Sequence, residues 1–135
     1  MTGENIRASV ADEVRLARSA LRAADALLGL GLVPDAASRA YYAALHAARA
    51  LLFSIGLEVR SHRAVRTMLS RHFVQPGLLL AERSKELGHL ESLRSAGDYD
   101  SAFAFSADEV RPEVEKARRF VNDAEALLAA GGWLD

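Results

Sequence analysis

An arginine, a tyrosine and a histidine with helical spacing are the residues of this chain best suited to chemistry. Arg39, Tyr42 and His46 lie three and four residues apart in the segment S-R-A-Y-Y-A-A-L-H. At about 100° per residue, these spacings place the three side chains on one face of a helix. An arginine binds anions, a phenol donates a hydrogen bond, and an imidazole transfers protons near neutral pH. This face is therefore a candidate for phosphate binding or for acid–base catalysis. The same spacing also fits a polar face that pairs with carboxylates of a neighbouring helix, or a dimer contact.

Arg94 is a second candidate, because it falls on the leucine-rich face of a later predicted helix. A buried arginine is costly unless it is paired. Asp98 follows it by one helical turn, which fits an ion pair that closes the helix end. The alternative is that Arg94 reaches the helix of Arg39 and joins a polar site there.

Two further clusters are weaker candidates. No acidic residue lies between Val59 and Leu80, a segment with four arginines and two histidines. This segment is either a patch for a few phosphates or a solvated basic face. Glu86 and His89 have the Glu-x-x-His spacing, but di-iron bundles use two such pairs with two further glutamates. We therefore predict no metal site and no cofactor.

Composition narrows the class of protein. The chain has 135 residues, of which 50% are hydrophobic and 26% charged, values typical of one globular domain spanning residues 1–135. The net charge of -1 excludes nucleic-acid binding by bulk charge alone, though not by a local basic patch. The absence of cysteine excludes a thiolate nucleophile, a disulfide and a zinc–sulfur site. The N-terminus has no signal-peptide pattern, and no apolar run reaches the roughly 18–20 residues that span a bilayer. We therefore expect a cytoplasmic protein without membrane association.

The elements that position these residues are predicted to be five helices in an all-α, up-and-down bundle. Asp35 is a plausible N-cap of the second helix, and Leu80, Leu87 and Leu90 are expected on the inward face of the fourth. A capping box formed by Ser106 and Glu109 starts the last helix, which ends at the glycine pair 131–132. The predicted spans of the first four helices are residues 5–28, 34–55, 62–73 and 78–95.

Three segments together resemble a known family. They are D-A-A-S-R-A-Y-Y-A-A-L-H-A-A-R-A-L-L from Asp35, S-H-R-A-V from Ser61, and L-R-S-A-G-D-Y from Leu93. In this pattern the chain resembles HEPN-domain proteins (higher eukaryotes and prokaryotes nucleotide-binding), especially the small stand-alone prokaryotic branch. The resemblance implies a helical bundle that dimerises. It also implies a partner, a minimal nucleotidyltransferase, with which many members form a toxin–antitoxin pair.

The resemblance also implies a catalytic motif that this chain carries only in part. Many toxin members are metal-independent ribonucleases with an R-x4–6-H motif at the dimer cleft. Arg94 matches the arginine by position, but no histidine follows it, whereas Arg39 and His46 have the right spacing on an earlier helix. We therefore expect first a module that binds a nucleotide, a phosphate or the nucleotidyltransferase. A ribonuclease and a purely structural dimerisation bundle are the alternatives. The expected binding residues are Arg39, Tyr42, His46, Arg94, Asp98 and Tyr99, and the candidate catalytic residues are His46, Arg39 and Arg94.

Overall fold

The fold is known from a computed structural model, which describes residues 3–99 and 105–134. Throughout this described part, the secondary structure is helical and no strand occurs, which confirms the predicted all-α bundle. None of the described helices is long and apolar enough to cross a membrane. The elements are α1 (Gly3–Gly29), α2 (Val33–Ser54), α3 (His62–Leu69), a π-helical turn (Ser70–Val74), α4 (Ala81–Tyr99) and α5 (Ala107–Ala130).

Helix α2 is the centre of the bundle and packs against α1, α3, α4 and α5. All eight of its alanines are buried. Small side chains allow neighbouring helices to approach closely, since interaxial distance depends on the residues at the contact. A helix that is apolar around most of its circumference is an interior helix. The few polar side chains of α2 therefore lie close to several other elements.

Most helix ends follow the local sequence signals. Ser61 caps α3 by accepting a hydrogen bond from the amide of Ala64 at 3.0 Å. Ser106 and Glu109 form the predicted capping box of α5, with both hydrogen bonds at 3.2 Å. The prediction of Asp35 as an N-cap is wrong, because α2 begins earlier, after Leu32, and Asp35 lies inside its first turn. There a carboxylate is still favourable, since it faces the positive end of the helix dipole.

The start of α4 also differs from the prediction. The helix begins at Ala81, and Leu80 is 62% exposed, whereas Leu87 and Leu90 are fully buried as expected. The reason is the turn that precedes it, in which the amides of Leu78 and Leu79 both donate to the carbonyl of Phe73. This turn directs Leu79, which is 4% exposed, into the core in place of Leu80.

Candidate functional site

Arg39, Tyr42 and His46 line one groove, as their helical spacing predicts. The groove has a volume of about 230 Å³, and α1 forms its other wall with residues that include Leu16 and Ser19. This volume lies below the roughly 300 Å³ at which sites for drug-sized ligands begin, so it suits a small group such as a phosphate. We call it the α1–α2 groove.

His46 is held by a carboxylate from α1. Its Nδ1 lies 2.6 Å from Oε2 of Glu13, and the two side chains are 21% and 17% exposed. An ionised carboxylate only accepts hydrogen bonds, so Nδ1 carries the proton of this pair and Nε2 is the ring nitrogen left for a ligand. For His46, the expectation of a polar face paired with a neighbouring carboxylate therefore holds. The pattern of α2 gave no sign of Glu13, because the pair depends on how α1 packs.

Arg39 differs from His46, because no side chain in the described part of the chain pairs with it. The residue is exposed, and within residues 3–99 and 105–134 its guanidinium makes no ion pair or hydrogen bond. A guanidinium that is not engaged by the protein can form two parallel hydrogen bonds to a phosphate. Arg39 is therefore an unneutralised cation at the edge of the α1–α2 groove.

Arg94 lies against two aromatic rings of α2. Its guanidinium carbon is 5.3 Å from the ring centroid of Tyr41 and 5.7 Å from that of Tyr42, within the range of cation–π contacts. Its Nη1 also donates to Oδ2 of Asp98 at 3.2 Å. The ion pair and the reach to α2, which the sequence offered as alternatives, therefore occur together. The buried Nε of Arg94 has no hydrogen-bond partner in the part of the chain that the structure describes.

His62 completes this group, which we call the tyrosine cluster: Tyr41, Tyr42, His62, Arg94 and Asp98. The ring centroid of His62 is 5.5 Å from Tyr41 and 6.4 Å from Tyr42. Burial lowers the pKa of His62, so its imidazole is mainly neutral at pH 7. Burial also raises the pKa of Tyr41 well above its usual range, so the phenol keeps its proton. In the sequence, His62 belongs to the basic segment and to the S-H-R-A-V segment, and neither indicates its contact with α2, which depends on packing.

Tyr42 belongs to both the α1–α2 groove and the tyrosine cluster. It lines the groove beside Arg39 and His46, and its ring contacts Arg94 on α4. Arg94 and Asp98 are thus connected to the groove through Tyr42, whereas the groove lining itself comes from α1 and α2. The side chain of Tyr99, also predicted as a binding residue, lies outside the described residues.

The remaining polar cluster forms separate ion pairs. Glu86 is bound by Arg83 and Arg119, and it is 6% exposed. His89 is largely exposed, as expected, and its Nδ1 lies 3.0 Å from Oε2 of Glu113. Among the described residues, no three or more His, Cys, Asp or Glu side chains are grouped so that they could hold a metal ion.

Comparisons with known proteins agree with this fold. The chain belongs to the HEPN domain family, which matches residues 10–131. It is 32% identical over 114 residues to a UPF0332 protein of Thermotoga maritima, covering 84% of this chain and 86% of that protein. It is 29% identical over 128 residues to a Methanocaldococcus jannaschii protein named "Putative toxin MJ0605", covering 95% and 90%.

A solved structure has the same fold. The crystal structure of TT1696 from Thermus thermophilus superposes with a TM-score of 0.76 and covers 88% of this chain and 98% of its own. Its sequence identity is 21%, so the likeness concerns the fold alone. The family resemblance and the all-α bundle expected from the sequence are thereby confirmed.

Proposed function

We propose that this chain is a toxin-like HEPN module that binds a phosphate group of a nucleotide or of RNA in the α1–α2 groove. The observation that carries the proposal is the free guanidinium of Arg39 in the same groove as His46, whose orientation Glu13 fixes. The names of two Methanocaldococcus jannaschii relatives support the toxin-like assignment.

Each side chain of the groove has a role in this proposal. Arg39 supplies positive charge and paired N–H donors to the phosphate oxygens. Tyr42 donates from its phenol, and the contact of its ring with Arg94 fixes its position. His46 presents Nε2, because Glu13 occupies Nδ1. Arg94 acts on the site by holding Tyr42, and Asp98 holds Arg94 through their ion pair.

Calorimetric titration with ATP tests this binding site. Arg39→Ala removes a charge-assisted hydrogen bond of about 1.5–3 kcal/mol, so the Kd should rise roughly 10- to 100-fold. Arg22→Ala is the matched control, since Arg22 is an exposed arginine of α1 outside the groove lining. An isotherm for Arg39→Ala equal to that of the wild type, or no heat from the wild type, would contradict the proposal.

A metal-independent ribonuclease is the second candidate, and the hydrogen bond between Glu13 and His46 favours it. In such a reaction, Nε2 of His46 would take the proton of the ribose 2′-hydroxyl as the O2′–P bond forms and the P–O5′ bond breaks. The leaving O5′ would take a proton from water, and Arg39 or Arg94 would stabilise the charge of the phosphorane. The assay is RNA cleavage in EDTA by the wild type and by His46→Ala. Equal cleavage by the two proteins, or none by the wild type, removes this candidate.

The proposed partners, a second copy of the chain and a nucleotidyltransferase, follow from membership of the HEPN family. We expect a homodimer and a minimal nucleotidyltransferase encoded beside this chain, which together would form a toxin–antitoxin pair. Light scattering after size exclusion tests the dimer, and copurification with the neighbouring gene product tests the pair. If Arg39→Ala and His46→Ala lower the melting temperature or dissociate the dimer but leave ATP binding and RNA cleavage unchanged, the groove has only a structural role.

A further inference from the structure

A second and larger groove lies between α3, the π-helical turn and α4. Its volume is about 640 Å³, and every residue that lines it is polar or charged. We propose that this groove binds the phosphodiester backbone of a nucleic-acid strand. It is a separate site, because its lining comes from a different part of the fold than the α1–α2 groove.

The charged side chains that line this basic groove are mainly positive. Three arginines line it, and among the described residues Glu91 is the only carboxylate of the lining. Glu91 is engaged by Arg66, whose Nη1 lies 3.1 Å from Oε2 of Glu91. Arg63 and Arg71 are exposed, and neither guanidinium has an ion pair or hydrogen bond in the described part of the chain. Two cations therefore remain available for an anionic ligand.

The spacing of these two cations suits an extended anion. Arg63 and Arg71 are separated by eight residues, which is roughly 12 Å along a helical axis at about 1.5 Å per residue. With their backbones this far apart along the helix, the two guanidinium groups can contact different phosphates of one strand. Ser70 and Gln75 also line the groove, between and beyond the arginines. Hydroxyl and amide donors of this kind commonly contact phosphate oxygens alongside arginine.

Helix α4 forms the opposite wall of the groove, and Gly88 leaves room there for a side chain of α3. The guanidinium of Arg66 packs over Gly88, where an added Cβ would lie 3.2 Å from Nη2. This close approach lets Arg66 reach Glu91 on the same helix. Arg66 therefore neutralises the one carboxylate of the groove and prevents it from repelling a phosphate.

The lining favours a nucleic-acid backbone over an acidic peptide. Peptide recognition generally needs an apolar or aromatic anchor in a pocket, and this lining has none. The nearby aromatic residue Phe73 is buried, with 6% exposure, so it offers no surface for base stacking. We therefore expect binding through phosphates, without sequence preference and with a strong dependence on salt.

The test is fluorescence anisotropy with labelled oligouridylate and oligothymidylate of equal length, over a series of salt concentrations. For single strands, the slope of log K against log salt is about −0.7 for each phosphate contact. The double variant Arg63→Gln/Arg71→Gln should therefore make the slope shallower by about 1.4. The double variant Arg15→Gln/Arg22→Gln removes the same charge from α1, which packs against α2 and α5, and should keep the wild-type slope.

Two results would overturn the proposal. One is the same slope for both double variants, with circular dichroism showing that both are folded. The other is displacement of the oligonucleotide by polyglutamate with equal strength per charge, which would assign the groove to an acidic protein. Equal binding of the two oligonucleotides supports recognition of the phosphates alone, and a difference between them shows an added contact with the sugar or the base. The calorimetric test of the α1–α2 groove uses other variants and another ligand. Either proposal can therefore be refuted without refuting the other.

Discussion

Arg94→Met removes the cation that lies over the rings of Tyr41 and Tyr42 but keeps an unbranched side chain to fill the space. The Arg94 side chain is 13% exposed, so its contacts with both rings are largely desolvated. Partly desolvated cation–π contacts contribute about 1 kcal/mol each. The ion pair with Asp98 adds less than about 1 kcal/mol, because Asp98 is 35% exposed.

This loss of stability is partly offset, because the variant no longer buries a polar atom without a partner. Methionine lacks the Nε of Arg94, which is buried without a hydrogen bond in the described part of the chain, and its removal recovers about 1 kcal/mol of desolvation cost. The net destabilisation should therefore be about 1–2 kcal/mol. A double-mutant cycle with Tyr42→Leu isolates one of the two ring contacts and should give a coupling energy of about 1 kcal/mol.

Urea unfolding at 25 °C of the wild type, both single variants and the double variant measures this coupling. The control cycle combines Tyr42→Leu with Arg111→Met, since Arg111 is an exposed residue of α5 that pairs with Asp108. That cycle should be additive within about 0.3–0.5 kcal/mol. If the Arg94 cycle is equally additive, the two rings do not hold the guanidinium, and the account of the tyrosine cluster is wrong.

Three further predictions concern the helices and pH. Gly88→Ala should raise the melting temperature, because alanine favours a helix interior by about 1 kcal/mol and the new Cβ meets only the flexible end of Arg66; calorimetry showing a lower melting temperature would refute this. Ser106→Ala should reduce the free energy of unfolding in urea by about 1 kcal/mol through loss of the capping box, whereas an unchanged value would show that the cap is not stabilising. Burial lowers the pKa of His62, so below about pH 6.5 the unfolded chain binds more protons at this residue than the folded chain does, and stability should fall between pH 7 and pH 5. His62→Gln should lose less stability over the same range, and an equal loss would exclude His62 as a cause.

The fold was predictable wherever the residues that define a helix and its ends lie within that helix or directly beside it. The spacing of apolar residues in α2 and the glycines that follow α1 and α2 depend on local sequence alone. The start of α4 was not predictable, because Leu78, Leu79 and Leu80 are equally apolar and their order gives no periodicity. Which of them enters the core is decided by the turn that hydrogen-bonds to Phe73.

The candidate site likewise contains residues that were predictable from the sequence and residues that were not. Arg39, Tyr42 and His46 share a face because they share a helix, so spacing alone brought them together. Glu13 joins His46, and His62 joins the tyrosine cluster, only through the packing of other helices against α2. Side-chain spacing within one helix carries no information on such contacts.

A nuclear magnetic resonance titration of the ¹⁵N-labelled protein with ATP locates the bound phosphate as well as detecting it, so it shows whether the α1–α2 groove is the phosphate site. If ATP binds in the α1–α2 groove, the largest changes in amide chemical shift will fall around Ser19, Tyr42 and His46, which line that groove. The Arg39→Ala protein will then show much smaller changes at equal ATP concentration. Changes confined to α3 and the π-helical turn, or no saturable change at all, would contradict the claim that this groove is the phosphate site.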